Sequence, residues 1–455
     1  MKRFLSIIVC LCLVLSLGLM SGCKKTEGAA TSDGEYADYI PGSVADVSTE
    51  VLEALTSSGT VSSYVFTDED TLGTGLGGFN NEEFKTIFTE VYGGEIDLRR
   101  GEWEGWESRF ITDFAAQDAP DIIYGFAKLW PKIANRGMVY SRDELADKGV
   151  LGLDHPVLEA GLETADANFT YKDKAYSVGL LGSSCFWCVV NEDLYKQYGV
   201  KSPSKYYEEG LWNLDTLAES GNALITAAGL NDSGVRDIFG YYCWDSTVFV
   251  RANGQQMVGI DSKTGQLTNN LQKPEVMDAL ERLRDAFQKG YATKVDTFSQ
   301  GKIGVIALAD GNIHNAIKNA TFNWSIIPFP KGKHNTNGQV PGSCNVWMVT
   351  TCSENPQGAV NLIIAYLAAI NDGTLKSSEN SVDNLLKDKP DTLQMMKDGR
   401  SKGVNDNMYG VGTLWSAQWD FWNALRHGKQ TVPETLQTWG AMFDAQIEQE
   451  LSYAE

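Results

Sequence analysis

Residues 176–200 read YSVGLLGSSCFWCVVNEDLYKQYGV. Cys185 and Cys188 stand in a C-x-x-C spacing around an aromatic pair, a pattern shared by redox dithiols, half zinc sites and plain packing. A redox pair holds its first thiol at a helix N-terminus, where the dipole stabilises thiolate; here Val189 and Val190 follow, and the helix begins only near Asn191. Read as a strand, residues 184–190 put the two cysteines three steps apart, about 10 Å at ~3.3 Å per residue, on opposite faces. That exceeds the ~7 Å reach of a disulfide, and no second cysteine pair completes a zinc site. The stretch is therefore a strand running into a helix, with the cysteines as small packing residues.

Working outward toward the N-terminus, SSYVFT reads as a strand and NNEEFKTIFTEVYGG as a helix, with Phe84, Ile87, Phe88 and Val91 at helical spacing. GEIDLRR is the next strand, WESRFITDFAAQDA a second helix and APDIIYG a third strand. Strand, helix, strand, helix, strand predicts a parallel sheet covered by helices. GTGLGG, residues 73–78, matches a dinucleotide fingerprint, but DEDTL separates it from the strand, whereas the fingerprint needs its turn directly after the strand. It is read as a loop at a strand's carboxyl end. Toward the C-terminus, PEVMDALERLRDAFQKG is an amphipathic helix, FSQGKIGVIALADGN and FNWSIIPFPKG are strands leaving turns, and GSCNVWMVTTCSENPQGAVNLIIAYL is strand, turn and helix. The polar run 372–410 reads as an insertion or surface loop, and residues 413–451 as two helices broken at Gly428.

The chain opens with MKRFLSIIVCLCLVLSLGLMSGCKK, a basic start, an apolar run and small residues before Cys23. This is a secretory signal over residues 1–22, and Leu19–Cys23 resembles a lipobox in which Cys23 becomes the lipid-modified N-terminus. Small and polar residues follow, so 23–59 are read as a lipid anchor and flexible tether. Of eight cysteines, Cys185, Cys188, Cys243, Cys344 and Cys352 remain in the body, too few and too scattered for a disulfide framework. The formal charge is −21, and loss of Lys2 and Arg3 with the signal takes it to −23. Such acidity excludes nucleic acid as a partner and argues against electrostatic adsorption to anionic lipid. The body after the tether is too long for one core and suits two lobes.

In their order, these pieces resemble the extracellular solute-binding proteins of carbohydrate ABC importers, a maltose-binding-protein-like family. APDIIYG is similar to the family's site loop, AYSVGLLGSSCFWCVVNEDLYKQYGV to its first crossing strand (with Val190 for a tyrosine and Glu192 for a lysine), WNLDTLAE to a helix opening, RANGQQ to its alanine-aspartate-glycine turn and GKQTVPETL to its closing helix. The resemblance implies an α/β, two-lobed, type II periplasmic-binding-protein-like fold with hinge strands and a ligand cleft between the lobes. Lobe one is expected over 60–183 plus 304–343 and lobe two over 188–300 plus 349–455, with crossings near 184–190, 300–308 and 343–349. It further implies a monomer at the extracellular face of the cell membrane, a monosaccharide or oligosaccharide ligand, ABC permease subunits as partners, and neither cofactor nor metal.

Twelve tryptophans need a role. A sugar presents C–H patches that indole covers and a polar rim that carboxylates and amides take. Trp244 precedes the ANG turn by the family's spacing for a stacking residue, with Asp245 beside it, and Trp415 precedes Gly428 by the spacing of another; Trp419 and Trp422 read as packing. The family's tryptophan and aspartate after the third strand become Gly125 and Lys128, which leaves Phe126 or Trp130 as replacements and counts against maltose itself. Glu102 and Trp103 after the second strand, Asp310 after the returning strand, Asn345 and Trp347 on the last crossing, and Ser184 with Trp187 at the cleft floor complete the expected set. Catalytic histidine, serine and zinc motifs are absent from the sequence, so no enzyme is expected. Paired glycosidase carboxylates are invisible at this level, so the alternatives are a cell-surface glycan hydrolase or a binder of another solute such as a peptide. If Cys23 carries the anchor, Cys23→Ala releases the protein from the membrane fraction into the medium; unchanged fractionation overturns the assignment.

Overall fold

The computed structural model describes residues 36, 47–65, 78–102, 105–125, 127–243, 245, 247–290, 296–375, 381–427 and 430–454. The signal, Cys23 and most of GTGLGG lie outside the described residues. From the first described strand the expected alternation appears: β1 (Gly59–Val65), α1 (Glu82–Tyr92), β2 (Gly94–Arg100), α2 (Trp106–Ala115) and β3 (Ile122–Gly125). Asn81 caps α1 by accepting from the Phe84 amide at 2.7 Å. Gly93 ends it at φ 59°, where a Cβ would meet the Thr56 carbonyl at 2.6 Å. Parallel pairing sets β1 between β2 and β3.

Helix α3 (Pro156–Phe169) and a small hairpin, Thr170–Tyr171 with Lys174–Ala175, lead into β4 (Gly179–Asn191), which carries the opening motif. Then come β5 (Phe239–Cys243), β6 (Ile303–Ala309), β7 (Trp324–Pro328), β8 (Val340–Val349), α4 (Pro356–Asn371), α5 (Pro390–Arg400), β9 (Gly403–Val404), α6 (Leu414–His427) and α7 (Val432–Leu451). The mixed sheet runs β2-β1-β3-β8-β4-β6-β5, with β7 on β4 and β9 on β8. The first half of β4 pairs antiparallel with β8, from Gly179↔Trp347 to Cys185↔Gly342. Its second half lies between β6, from Phe186↔Ala309 to Val190↔Val305, and β7, from Trp187↔Pro328 to Asn191↔Trp324. One strand thus belongs to both halves of the sheet, as a crossing strand must.

Pairing and packing distribute the later segments differently from the expectation. β6 pairs with β5 and with the second half of β4, so 303–328 join the sheet of lobe two rather than lobe one. α4 is apolar nearly all round and packs its Leu362, Ile363 and Tyr366 into the core of Val61, Phe84 and Ile87, which places it with lobe one. Sequence order does not say which edge of a long crossing strand a returning strand will take. Residues 381–410, the described body of the polar run 372–410, are likewise not a loop. Ser381 caps a short helix Val382–Leu385, α5 follows, β9 pairs with β8, and Met408 and Tyr409 are buried. Its polar residues form caps and ion pairs, which is why composition alone suggested a loop.

Alternation along β4 separates the two cysteines as strand geometry requires. Cys185 packs with Trp187 and Val189 on one side, Cys188 with Phe186 and Val190 on the other. Cys185, Cys188, Cys243 and Cys344 are buried and form no disulfide among the described residues, and burial pushes the Cys344 thiol up to about 12. Without reductant, a thiol reagent should leave these four unlabelled in the native body and label all of them together with Cys352 after unfolding. A deficit of two labels in the unfolded body would reveal a disulfide.

Candidate functional site

The crossing region brings Ser184, Trp187 and Asp310 together, and the structure gives them to one another. Asp310 opens the helix after β6 and is 7% exposed; the Trp187 indole N–H and the Arg400 Nε–H both donate to its carboxylate. Its backbone N–H donates to Ser184 Oγ at 3.2 Å, and Arg400 grips Asp383 at 2.6 and 3.1 Å. Burial pushes the Asp310 carboxyl above its ordinary range against the pull of Arg400. Trp187 is closed in by α5, for a Cβ on Gly399 would stand 2.6 Å from its ring. These residues clamp the crossing strand: Ser184 and Trp187 are bonded to Asp310, and the Asp310 carboxylate is also taken by Arg400, from the segment read as a loop.

Asp245 is similarly committed. Arg251, 3% exposed, donates through Nη2 to Asp245 at 2.8 Å and through Nη1 to the carbonyls of Gly342 at 2.5 Å and Val404 at 2.9 Å, with Asp406 3.7 Å from its Nε. Thr247 donates to Asp245 through its amide and hydroxyl, and its hydroxyl lies 3.2 Å from the Tyr409 hydroxyl. Burial raises the Asp406 carboxyl and raises the Tyr409 phenol well above its usual value. Arg251 therefore ties the helix Thr247–Ala252 to both β8 and β9. The acid beside Trp244 is visible in the sequence, but nothing local marks Arg251, six residues later, as its partner.

Trp415 meets the turn that follows β3. It opens α6 half-buried, with the Tyr409 ring edge-on at 4.4 Å and 85°. From lobe one, the Lys128 ammonium stands 4.6 Å from the Trp415 ring centre and pairs with Glu107 of α2 at 3.1 Å. Gly410 passes so close to the turn after β3 that a Cβ there would fall 1.7 Å from the Trp130 carbonyl oxygen. On β8, Asn345 sits at a register shift, and its Oδ1 is buried without a hydrogen-bond partner among the described residues. An unsatisfied buried acceptor is costly, so it is a natural contact for a ligand donor.

Other expected residues go elsewhere. Trp130 and Trp347 are each 2% exposed. Trp130 meets Phe169, Tyr171 and Tyr176 edge-on, and Trp347 stacks on Phe79 at 5.4 Å. Both are core side chains here, because each faces aromatic residues that sequence spacing does not reveal. Glu102 is exposed beyond β2. Trp103, Phe126 and Trp244 lie outside the described residues. Trp422 packs as expected, but Trp419 is exposed. Lys128, Glu107 and Tyr409 were not among the expected site residues. Lys128 stood out as a departure from the family pattern, but its acidic partner, twenty-one residues earlier, carried no signal.

Residues 74–369 match the family model described as bacterial extracellular solute-binding protein. The chain belongs to this family. No curated protein matches it. Among solved structures, these solute-binding proteins include an ABC substrate-binding protein from Listeria monocytogenes in complex with cycloalternan (14% identity, TM-score 0.61, 86% of this chain and 99% of that one). UgpB from Mycobacterium tuberculosis in complex with glycerophosphocholine is similar at 14%, TM-score 0.62, 86% and 99%. A cyclic alpha-maltosyl-1,6-maltose binding protein from Arthrobacter globiformis is similar at 15%, TM-score 0.60, 87% and 98%. The expected type II two-lobed fold is thereby established, and the class binds substrates outside the cytoplasmic membrane for ABC transporters. Arg251→Ala in this solute-binding protein leaves two buried carboxylates without their cation and should cost about 3–5 kcal/mol, read as a lower urea midpoint at unchanged slope.

Proposed function

We propose that this solute-binding protein captures an oligosaccharide between its lobes and, held to the extracellular face by lipid on Cys23, delivers it to an ABC permease. The observation that carries the reading is Trp415, an aromatic side chain at the lobe junction framed from the other lobe by the Lys128–Glu107 pair. An indole face covers the C–H side of a pyranose, while a carboxylate, an ammonium and the Asn345 amide oxygen suit its hydroxyl rim. The Lys128 ammonium rests on the ring that the sugar would use, so a ligand shares or displaces that contact and makes new ones to both lobes. Closure follows because the closed form gains contacts with groups from two lobes that the open form lacks. The crossings near 184–190 and 343–349 serve as hinge strands in this reading. Trp244, placed by sequence spacing alone, is proposed as a second stacking residue.

Titration calorimetry against a glycan panel tests the proposal. A sugar should bind and raise the melting temperature without being cleaved. Trp415→Ala and Trp244→Ala should each weaken it by about tenfold or more, some 1.4 kcal/mol or above. Wild-type affinity in both variants removes the site. Release of smaller sugars shows a hydrolase, and binding of peptides or glycerophosphodiesters but no glycan refutes the sugar.

A further inference from the structure

The last turn of α7 leaves the core that holds the rest of the helix. Val432, Leu436, Phe443 and Ile447 pack with Tyr241, Leu267 and Leu280 of lobe two, and Asn269 Nδ2 donates to Asp444 at 2.9 Å. Glu450, one turn beyond Ile447, is 1% exposed, and its partners come from lobe one. Arg136 donates to its carboxylate through Nε at 3.3 Å and Nη2 at 3.1 Å, and Asn135 Nδ2 donates to its backbone carbonyl at 2.7 Å. Arg136 also lies over the Tyr453 ring, 3.7 Å from its centre. The short helix Lys132–Asn135, which Arg136 ends, is rooted in lobe one, where Ile133 and Ala134 pack with Tyr64, Phe110 and Ile123. The Tyr171 hydroxyl fixes Asn135 by donating to its Oδ1 at 2.7 Å. A second contact joins the same two bodies: the Asp173 amide donates to the Ser262 carbonyl at 2.9 Å, and Ile260 packs against both cores.

We infer that Glu450, Arg136 and Asn135 form a latch through which the C-terminal helix holds the lobes together, so that positioning residues outside the Trp415 site govern how firmly a ligand is retained. This rests on the closure reading above, not on the ligand being a sugar. A carboxylate so deeply covered needs its cation. Rotation of the lobes returns both charges to water, so the pair favours one arrangement of the lobes over another rather than the fold of either, and only such a differential contact shifts the equilibrium.

Hydrogen exchange read by mass spectrometry on the full chain, dialysed free of solute, tests the latch. Glu450→Gln and Arg136→Ala should each speed exchange about tenfold or more, both at the latch and in segments 170–175 and 260–266, whose bond to one another neither substitution touches. β1 and β3 should keep their protection. Faster exchange confined to 132–136 and 446–453 shows a local packing contact and overturns the inference. Faster exchange throughout the chain, β1 and β3 included, shows a loss of overall stability and also overturns it, as does wild-type exchange in both variants. Should Arg136→Ala fail to fold, Glu450→Gln, which keeps the side chain's shape, carries the same reading. No ligand enters the measurement, so each of these failures leaves the sugar reading standing, and an empty glycan panel beside the expected exchange removes the sugar but not the latch.

Discussion

The architecture depends on one strand serving two neighbours in succession. β4 gives its residues 179–185 to β8 and its residues 186–191 to β6 and β7, so its main chain passes from one half of the sheet to the other without leaving strand pairing. Small residues suit the changeover: Gly182, Ser183 and Ser184 precede the bulky Phe186 and Trp187. A rotation of the lobes is then concentrated at the few residues where pairing changes hands, and the rest of each sheet can move as a body.

Buried charge holds this crossing in place. Arg400 joins α5 to Asp310 behind β4, and Arg251 joins its helix to carbonyls of β8 and β9. These groups looked like ligand contacts because polar residues near a predicted cleft are the usual candidates for sugar hydroxyls. Charges taken out of water must instead be paired first, and here the pairing partners come from elsewhere in the chain. The acidic and polar residues of the crossing are therefore committed to holding the crossing together, and the proposed recognition rests on aromatic and amide groups.

The aromatic residues divide by the same logic. Trp130 and Trp347 are sealed by other rings, Trp187 by α5, and Trp422 by the core of lobe two. Trp415 and Trp419 keep part of their surface because their helix turns only one flank to the core. Helical spacing from Leu414 predicts a buried face, but it does not say which shoulder of that face meets the opposite lobe. Lys128 and Glu107, from two elements of the other lobe, make that distinction.

Alternation of strand and helix signals, the glycines that stop helices, the C-x-x-C stretch as a strand and the order of motifs were legible in the sequence, since each rests on local chemistry: period, capping and turn conformation. The family followed from that order. Which lobe receives β6, β7 and α4, the structured character of 381–410, and the commitment of buried polar and aromatic residues to clamp or core were decided only in three dimensions. Those outcomes depend on pairing between groups tens to hundreds of residues apart, such as Asp310 with Arg400 or Lys128 with Trp415. Local sequence specifies the elements; burial and charge pairing between distant elements decide what each side chain is for.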